Sequence, residues 1–290
     1  MRVAEYSHYR DSGGVGDWDS GILTISLDRW NLFHDVTEKL IGIGDFIWRG
    51  QQHDWQLKSK FDRIVKSNRK STLEKHMNAF MRAIRGRRGS NPPQLKDPEG
   101  IWSLGQHYGL ATPLLDWSES PFVAAYFAFR EESTRVLQNA VVASMLKDKD
   151  DNSSNPVLDK APSRFIYGLS KDLGRWGPAK SKGSEPFDRY VKFVEPFSDE
   201  NPRLLNQRGL FTYPMSEEVD IERTVQNCYA ADLKKGKSRI IFVKIRILEI
   251  ERNNCLRNLN IMNINHATLF PDLIGAAEYC NVKLSINDYT

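Results

Sequence analysis

The sequence predicts an α+β fold, and three observations carry that expectation. Helical stripes and strand-like runs are interspersed along the 290 residues. The two types are clearest at Phe122, Ala125, Tyr126 and Phe129, an i, i+3, i+4, i+7 stripe, and at Arg239 to Leu248, RIIFVKIRIL, rich in β-branched residues. Neither GxGxxG nor GxxxxGK[ST] occurs, so a dinucleotide fingerprint and a P-loop are both absent.

Taken in order, residues 1–25 read as a polar, glycine-rich lead-in and residues 26–290 as one domain. Leu27, Trp30, Phe33, Val36, Leu40 and Ile41 give a helical stripe that stops at Gly42 to Gly44. Asp45 to Gly50 is a short strand, with Phe46 and Trp48 on one face and Ile47 and Arg49 on the other. Ser71-Thr72-Leu73-Glu74 forms a capping box for a helix whose inner face is Leu73, Met77, Phe80 and Ile84. Asp97-Pro98 opens another helix, which ends at the C′ residue Gly109. Leu110 to Trp117 suits a buried strand, and Ser118 or Ser120, with Pro121, starts the apolar helix that follows. Ala140 to Leu146 and Phe187 to Glu195 are further strands, Glu217 to Lys235 is helical, and Pro271 precedes a last helix.

The totals exclude several classes. The longest apolar run, Phe122 to Phe129, is far short of the roughly 20 residues that span a bilayer. The first twenty residues contain no apolar h-region, so the expected location is cytoplasmic. Cys228, Cys255 and Cys280 fit neither a disulfide framework nor a zinc half-site, and the histidines show no HExxH spacing. No metal is expected. The net charge of +4 is uneven: Lys58 to Arg88 holds eleven Lys or Arg against two acids, leaving the remainder at −5. Such a run is either a solvated basic face or a polyanion-binding patch, with Trp55 and Phe61 as stacking groups.

Chemistry concentrates in two places. Arg49 on an apolar strand needs an anionic partner, either an internal carboxylate such as Asp116 or a ligand phosphate. Gly50 beside it permits close approach of backbone or ligand. Asp116, Trp117 and Ser118 are delivered to a helix N-terminus, which favours an anion. The plainer alternative has Ser118 as a cap and Asp116 paired with a basic neighbour.

Three stretches in this order resemble the FRG domain family of bacterial and phage proteins, named for a Phe-Arg-Gly motif. The first is Trp48-Arg49-Gly50 with Gln51 and Trp55, where Trp48 stands in the phenylalanine position. The second is Gly105-Gln106-His107-Tyr108-Gly109 running through Thr112 to Asp116-Trp117-Ser118-Glu119-Ser120-Pro121. The third is Gln207-Arg208-Gly209-Leu210-Phe211, and Leu269-Phe270-Pro271-Asp272-Leu273 resembles a closing segment.

The first two motifs also look like those of the arginine-serine-glutamate ADP-ribosyltransferases. That resemblance implies split mixed or antiparallel sheets with flanking helices around an NAD cleft. Arg49 would orient the NAD phosphate and ribose, and Ser118, with Asp116 and Trp117 beside it, would brace the cleft. Gly50, Gln51, His107, Tyr108, Thr112, Trp117 and Phe211 complete the expected NAD-contacting set. The segment matching the glutamate strand offers Gln207, so Glu119 or Asp272 would have to be brought round to act as the carboxylate.

Breaking the nicotinamide glycosidic bond builds positive charge on the ribose, and glutamine can orient the sugar but cannot accept a proton. The resemblance implies an NAD-consuming toxin or phage-defence effector, acting on nucleic acid or protein, with a neutralising antitoxin as a further expected partner. The alternatives are a non-catalytic nucleic-acid-binding module, a nuclease or hydrolase using Asp116, Glu119 and His107, and a protein-interaction domain.

Overall fold

The computed structural model describes residues 14–19, 22–88, 97–132, 161–171, 191–195, 202–215, 217–233 and 240–289. Eight strands form a mixed sheet: β1 (Gly14–Asp19), β2 (Ile22–Leu27), β3 (Phe46–Gln51), β4 (Leu115–Ser118), β5 (Ser163–Ser170), β6 (Val191–Val194), β7 (Gly209–Pro214) and β8 (Phe242–Leu248). Their spatial order is β1-β2-β8-β5-β3-β4-β7-β6, and β2–β8 is the parallel pair in an otherwise antiparallel sheet. The helices are α1 (Leu32–Ile43), α2 (Lys60–Ile64), α3 (Arg69–Ala83), α4 (Pro98–His107), α5 (Pro121–Phe129), α6 (Pro202–Asn206), α7 (Ile221–Leu233), α8 (Arg252–Ile261), α9 (His266–Leu269) and α10 (Leu273–Ser285). None of them is long and apolar enough to cross a membrane.

The α+β expectation holds, but the sheet is continuous instead of split. It narrows to a single residue pair, Trp48 with Ser118, where β3 meets β4. The physical reason lies one step further along the strands. Arg49 Nη1 donates to the Asp116 carbonyl at 2.7 Å, so a guanidinium takes an acceptor that faces the β3 side, and the strands part there. On its other edge β4 keeps a full ladder with β7, from Leu115 opposite Thr212 to Ser118 opposite Gly209.

Several boundaries move. The expected lead-in supplies β1 and β2, and Leu23, Ile25 and Leu27 lie in the main core, so the boundary near residue 25 falls inside a strand. Leu27 ends that strand and does not join the helical stripe, because ILTISL pairs with β8 along its whole length. Helix α3 begins at Arg69, two residues before the expected capping box, behind Asn68 in the left-handed region at φ 53°. β5, flanked by β3 and β8, was not anticipated from the sequence. Ala140 to Leu146 lies outside the described residues.

Alternation along β3 is as expected: Phe46 and Trp48 enter the core under α5, while Ile47 enters the cluster on the opposite face with Trp117 and Tyr167. A third cluster joins Phe61, Leu73, Trp102 and Phe211 below α2, α3 and α4. Seven of the nine α5 residues are buried, so this helix is enclosed on nearly all sides instead of along one stripe. Its N-terminus is capped by Ser120 Oγ, which accepts from Val123 N. Its last carbonyls are satisfied by two arginines from elsewhere in the fold. Arg164 donates to Ala128 O and Glu131 O, and Arg252 to Phe129 O and Arg130 O. Arg164 and its partner Glu249 are 0% and 3% exposed at 3.0 Å, a pair whose breaking on one side costs about 3–5 kcal/mol.

Gly50 sets how closely α5 approaches the sheet. A Cβ there would stand 1.8 Å from the Ala124 carbonyl oxygen and 2.7 Å from the Ala128 nitrogen, both backbone atoms that side-chain rotation cannot move. Gly50→Ala is expected to destabilise the fold by about 3 kcal/mol or more, read as a lowered urea midpoint. A variant of unchanged midpoint would show that α5 can lift from β3.

The far side of α5 is tied to α9 by Tyr126 Oη and His266 Nδ1, 2.8 Å apart in the interior. Burial, and then the nearby Arg130 charge, push the His266 pKa below its ordinary value. The unfolded chain therefore binds the proton more readily, and stability should fall as pH drops below about 6.5, the unfolded histidine value. Melting curves across that range should show the fall in the wild type and a shallower one in His266→Gln.

Candidate functional site

Where β3 and β4 diverge, a cleft of about 610 Å³ opens between the strand ends, α5 and the loop after β3. Arg49 lies on its wall with 19% of its side chain exposed. Besides the bond to the Asp116 carbonyl, its Nη1 is 3.8 Å from Asp116 Oδ2, while its Nε is buried without a hydrogen-bond partner. Burial lowers its pKa, Asp116 opposes that, and the positive charge of Arg63 on α2 lowers it further. Arginine stays protonated through such a shift, so the cleft holds a desolvated cation whose donors are not all used.

Asp116 is itself positioned. Gln106 Nε2, from the last turn of α4, donates to Asp116 Oδ1 at 2.7 Å, and Gln106 Oε1 accepts from Thr112 Oγ1. Thr112 Oγ1 in turn accepts from Leu114 N at 3.3 Å. Gly109, at φ +86°, makes the turn that brings Thr112 back beneath the helix. A relay thus runs from Thr112 through Gln106 and Asp116 to Arg49. Gln106 belongs to the second motif, yet its role was not foreseen, because its partner lies on another element.

Ser118 is buried, donating to the Gln207 carbonyl at 2.7 Å and accepting from Ser120 N at 3.0 Å. It pins the segment before β7 to the start of α5. Gln207 lines the cleft, its Nε2 donating to Leu269 O at 3.2 Å. Trp117 also lines it, with Nε1 donating to Thr212 Oγ1 at 2.8 Å. Gly50 and Gln51 complete the expected residues found there.

Other expected site residues lie elsewhere. Glu119 sits outside the cleft lining, bound by Lys171 at 2.6 Å and Arg208 at 3.2 Å, and the Lys171 hydrogen bond leads in holding its carboxyl below the usual range. Two cations turn it away. His107 and Tyr108 stack edge to face at the end of α4, outside the lining, with Tyr108 exposed. Thr112 reaches the cleft only through Gln106, and Phe211 is drawn into the apolar cluster with Phe61 and Trp102. Asp272 caps α10 through Gly275 N and pairs with Arg203, so it supplies no carboxylate to the cleft either. Among the described residues, no group of three or more His, Cys, Asp or Glu is placed to share a metal ion.

The cleft instead recruits Arg63, Arg130 and Glu131, with Trp55, Phe127 and Phe270 as aromatic walls. No local pattern marked these residues, since Arg130 and Glu131 simply follow α5. Their backbone is fixed by the arginine caps on that helix, while Arg130 Nε and Glu131 Oε1 pair at 3.1 Å. Glu131 and Asp116 are the two carboxylates of the lining.

No curated protein and no solved structure gives a significant match to the chain. A family model does match, over residues 44–136, from the approach to β3 to just beyond α5. The stretch that builds most of the cleft, with Arg49, Gln106, Asp116, Ser118 and Glu131, is the one that matches the FRG domain model.

Proposed function

We propose that the protein is an ADP-ribosyltransferase that takes NAD as donor and modifies nucleic acid or protein. The observation that carries this reading is the incompletely bonded, desolvated Arg49 at the one-pair waist of the sheet, with a second guanidinium, Arg63, in the lining of the same cleft of about 610 Å³. Two converging cations suit a pyrophosphate, whose charge would relieve their mutual repulsion. The volume falls within the range of about 300–1,000 Å³ found for ligand and cofactor sites, and the aromatic walls suit flat heterocycles.

When bound, NAD would supply an activated glycosidic bond. The C1′–N bond to nicotinamide breaks, and nicotinamide leaves with the bonding pair. The acceptor atom bonds to C1′, and its proton passes to a base. In this reading Arg49 and Arg63 hold the pyrophosphate, Ser118 fixes the wall that carries Gln207, and Gln207 orients the ribose. Gln207 cannot take the proton. Asp116 is held by Arg49 and Gln106, whereas Glu131, paired at 3.1 Å with its chain neighbour Arg130 and 61% exposed in its side chain, is the other carboxylate of the lining and takes the role of base in this reading. A hydrolase built on Asp116, Glu119 and His107 finds less support, because of the three only Asp116 lines the cleft.

Arg49→Ala is expected to reduce nicotinamide release by about 100-fold or more, with melting behaviour retained. Arg49→Lys should not restore it, since a point charge cannot replace the planar fork. Glu131→Gln should lower kcat with little change in KM for NAD, as expected for a group acting on the proton and not on donor binding. Steady-state measurement of nicotinamide with protein, RNA and DNA acceptors checks all three variants. A folded wild type that releases no nicotinamide with any acceptor would overturn the assignment.

A further inference from the structure

We infer that the acceptor is single-stranded nucleic acid, lying along α3 and α2 and entering the cleft past Arg63. The acceptor role rests on the transferase reading above; the binding surface stands on its own observations.

The first is where the charge sits. Residues 58–88 carry a net +9 while the rest of the chain carries −5. Of the two acids in this segment, Asp62 is buried and used internally, accepting from Ser59 Oγ and Arg69 Nε, each at 2.7 Å. Lys60 donates to the Gly109 carbonyl and Arg63 to that of Gln56, neutral partners that leave both charges in place. Along α3, Leu73, Met77 and Phe80 face inward, whereas Lys75 and Arg82, seven residues apart, share the opposite, exposed face.

The second observation is continuity. Arg63 belongs both to this basic surface and to the cleft lining, where its charge acts on Arg49. Arg69 at the start of α3 bonds Asp62 on α2 at 2.7 Å, so a phosphate chain that runs from α3 onto α2 would reach Arg63 at the cleft. Trp55 stands at the same mouth, 48% exposed, with its carbonyl held by Gln51 Nε2 at 2.8 Å. It is a positioned ring on which one base can stack. Phe61, the other expected stacking group, is buried in the third core cluster and serves no such role. To reach the C1′ of a donor held in the cleft, the acceptor base must leave its stack, which favours a single strand over a duplex, in which that base would stay stacked and shielded. In the transfer, a base nitrogen or oxygen of the strand bonds to C1′, nicotinamide departs with the electron pair, and the displaced proton goes to Glu131.

The test uses the full chain and fluorescein-labelled single-stranded DNA and RNA oligonucleotides, followed by anisotropy over a salt series, with label transfer from NAD measured in parallel. Wild-type affinity should fall steeply with salt, and Lys75→Glu/Arg82→Glu should bind about tenfold or more weakly with a shallower slope and an unchanged melting temperature. Arg49→Ala should lose transfer to the strand while keeping salt-dependent binding. Equal affinity of wild type and double variant, absence of binding, or equal binding of a duplex would overturn the surface, whatever the NAD activity. Label carried to protein and not to a bound strand would overturn the acceptor assignment. Charge-dependent binding with no nicotinamide release would overturn the transferase reading and the acceptor role with it, while supporting the surface.

Discussion

The geometry of the site depends on one backbone-to-backbone contact, the approach of α5 to β3 at Gly50. Ala124 presents its carbonyl where any other residue would place a Cβ, so the helix lies directly on the strand that carries Arg49. An apolar helix packed against the sheet on one side and α8 on another has seven of its nine residues buried, and the fold supplies side chains for the backbone groups at its ends. Ser120 closes the N-terminus, and Arg164 with Arg252 closes the C-terminus. Because those arginines bind carbonyls as far as residue 131, the caps of the helix also fix the chain that delivers Arg130 and Glu131 to the cleft.

The same economy explains the opening in the sheet. A continuous β3–β4 ladder would fill the space where the cleft lies. The fold gives up those backbone pairs and uses Arg49 to hold Asp116 in their place. That exchange leaves a buried Nε without a partner, a cost that a ligand anion would remove. The Thr112–Gln106–Asp116 relay keeps the counter-charge from rotating into solvent, since an aspartate with 63% of its side chain exposed would otherwise be free to turn away.

Much of this was legible where the chemistry is local. Arg49, Gly50, Asp116 and Ser118 lie on short contiguous motifs, and strand alternation alone assigned the faces of β3. What escaped depends on distant partners. β5 escaped because Arg164 and Gly168 break its apolar run, yet Arg164 is neutralised by Glu249 and Gly168 leaves room for the Trp48 ring, 2.8 Å from where a Cβ would stand. β2 escaped because its pairing partner, β8, lies more than two hundred residues along the chain. Glu119 looked available in the sequence because Lys171 and Arg208, which claim it, are remote from it in the chain.

The carboxylate question turns on the same distinction between motif and placement. The segment expected to carry a glutamate presents Gln207, and the fold holds that glutamine at the cleft through Ser118 and Leu269. On the transferase reading, glutamine here would keep the hydrogen-bonding half of the expected role and lose the proton-accepting half. In that reading Glu131 would supply the missing half, from the stretch of chain that the arginine caps of α5 hold in place. A proton acceptor separated from the orienting amide loosens one constraint on the site. On the transferase reading, Gln207 would need only to hold the sugar and Glu131 to take the proton, so the choice of acceptor would fall to the basic surface outside the cleft and not to the donor site within it.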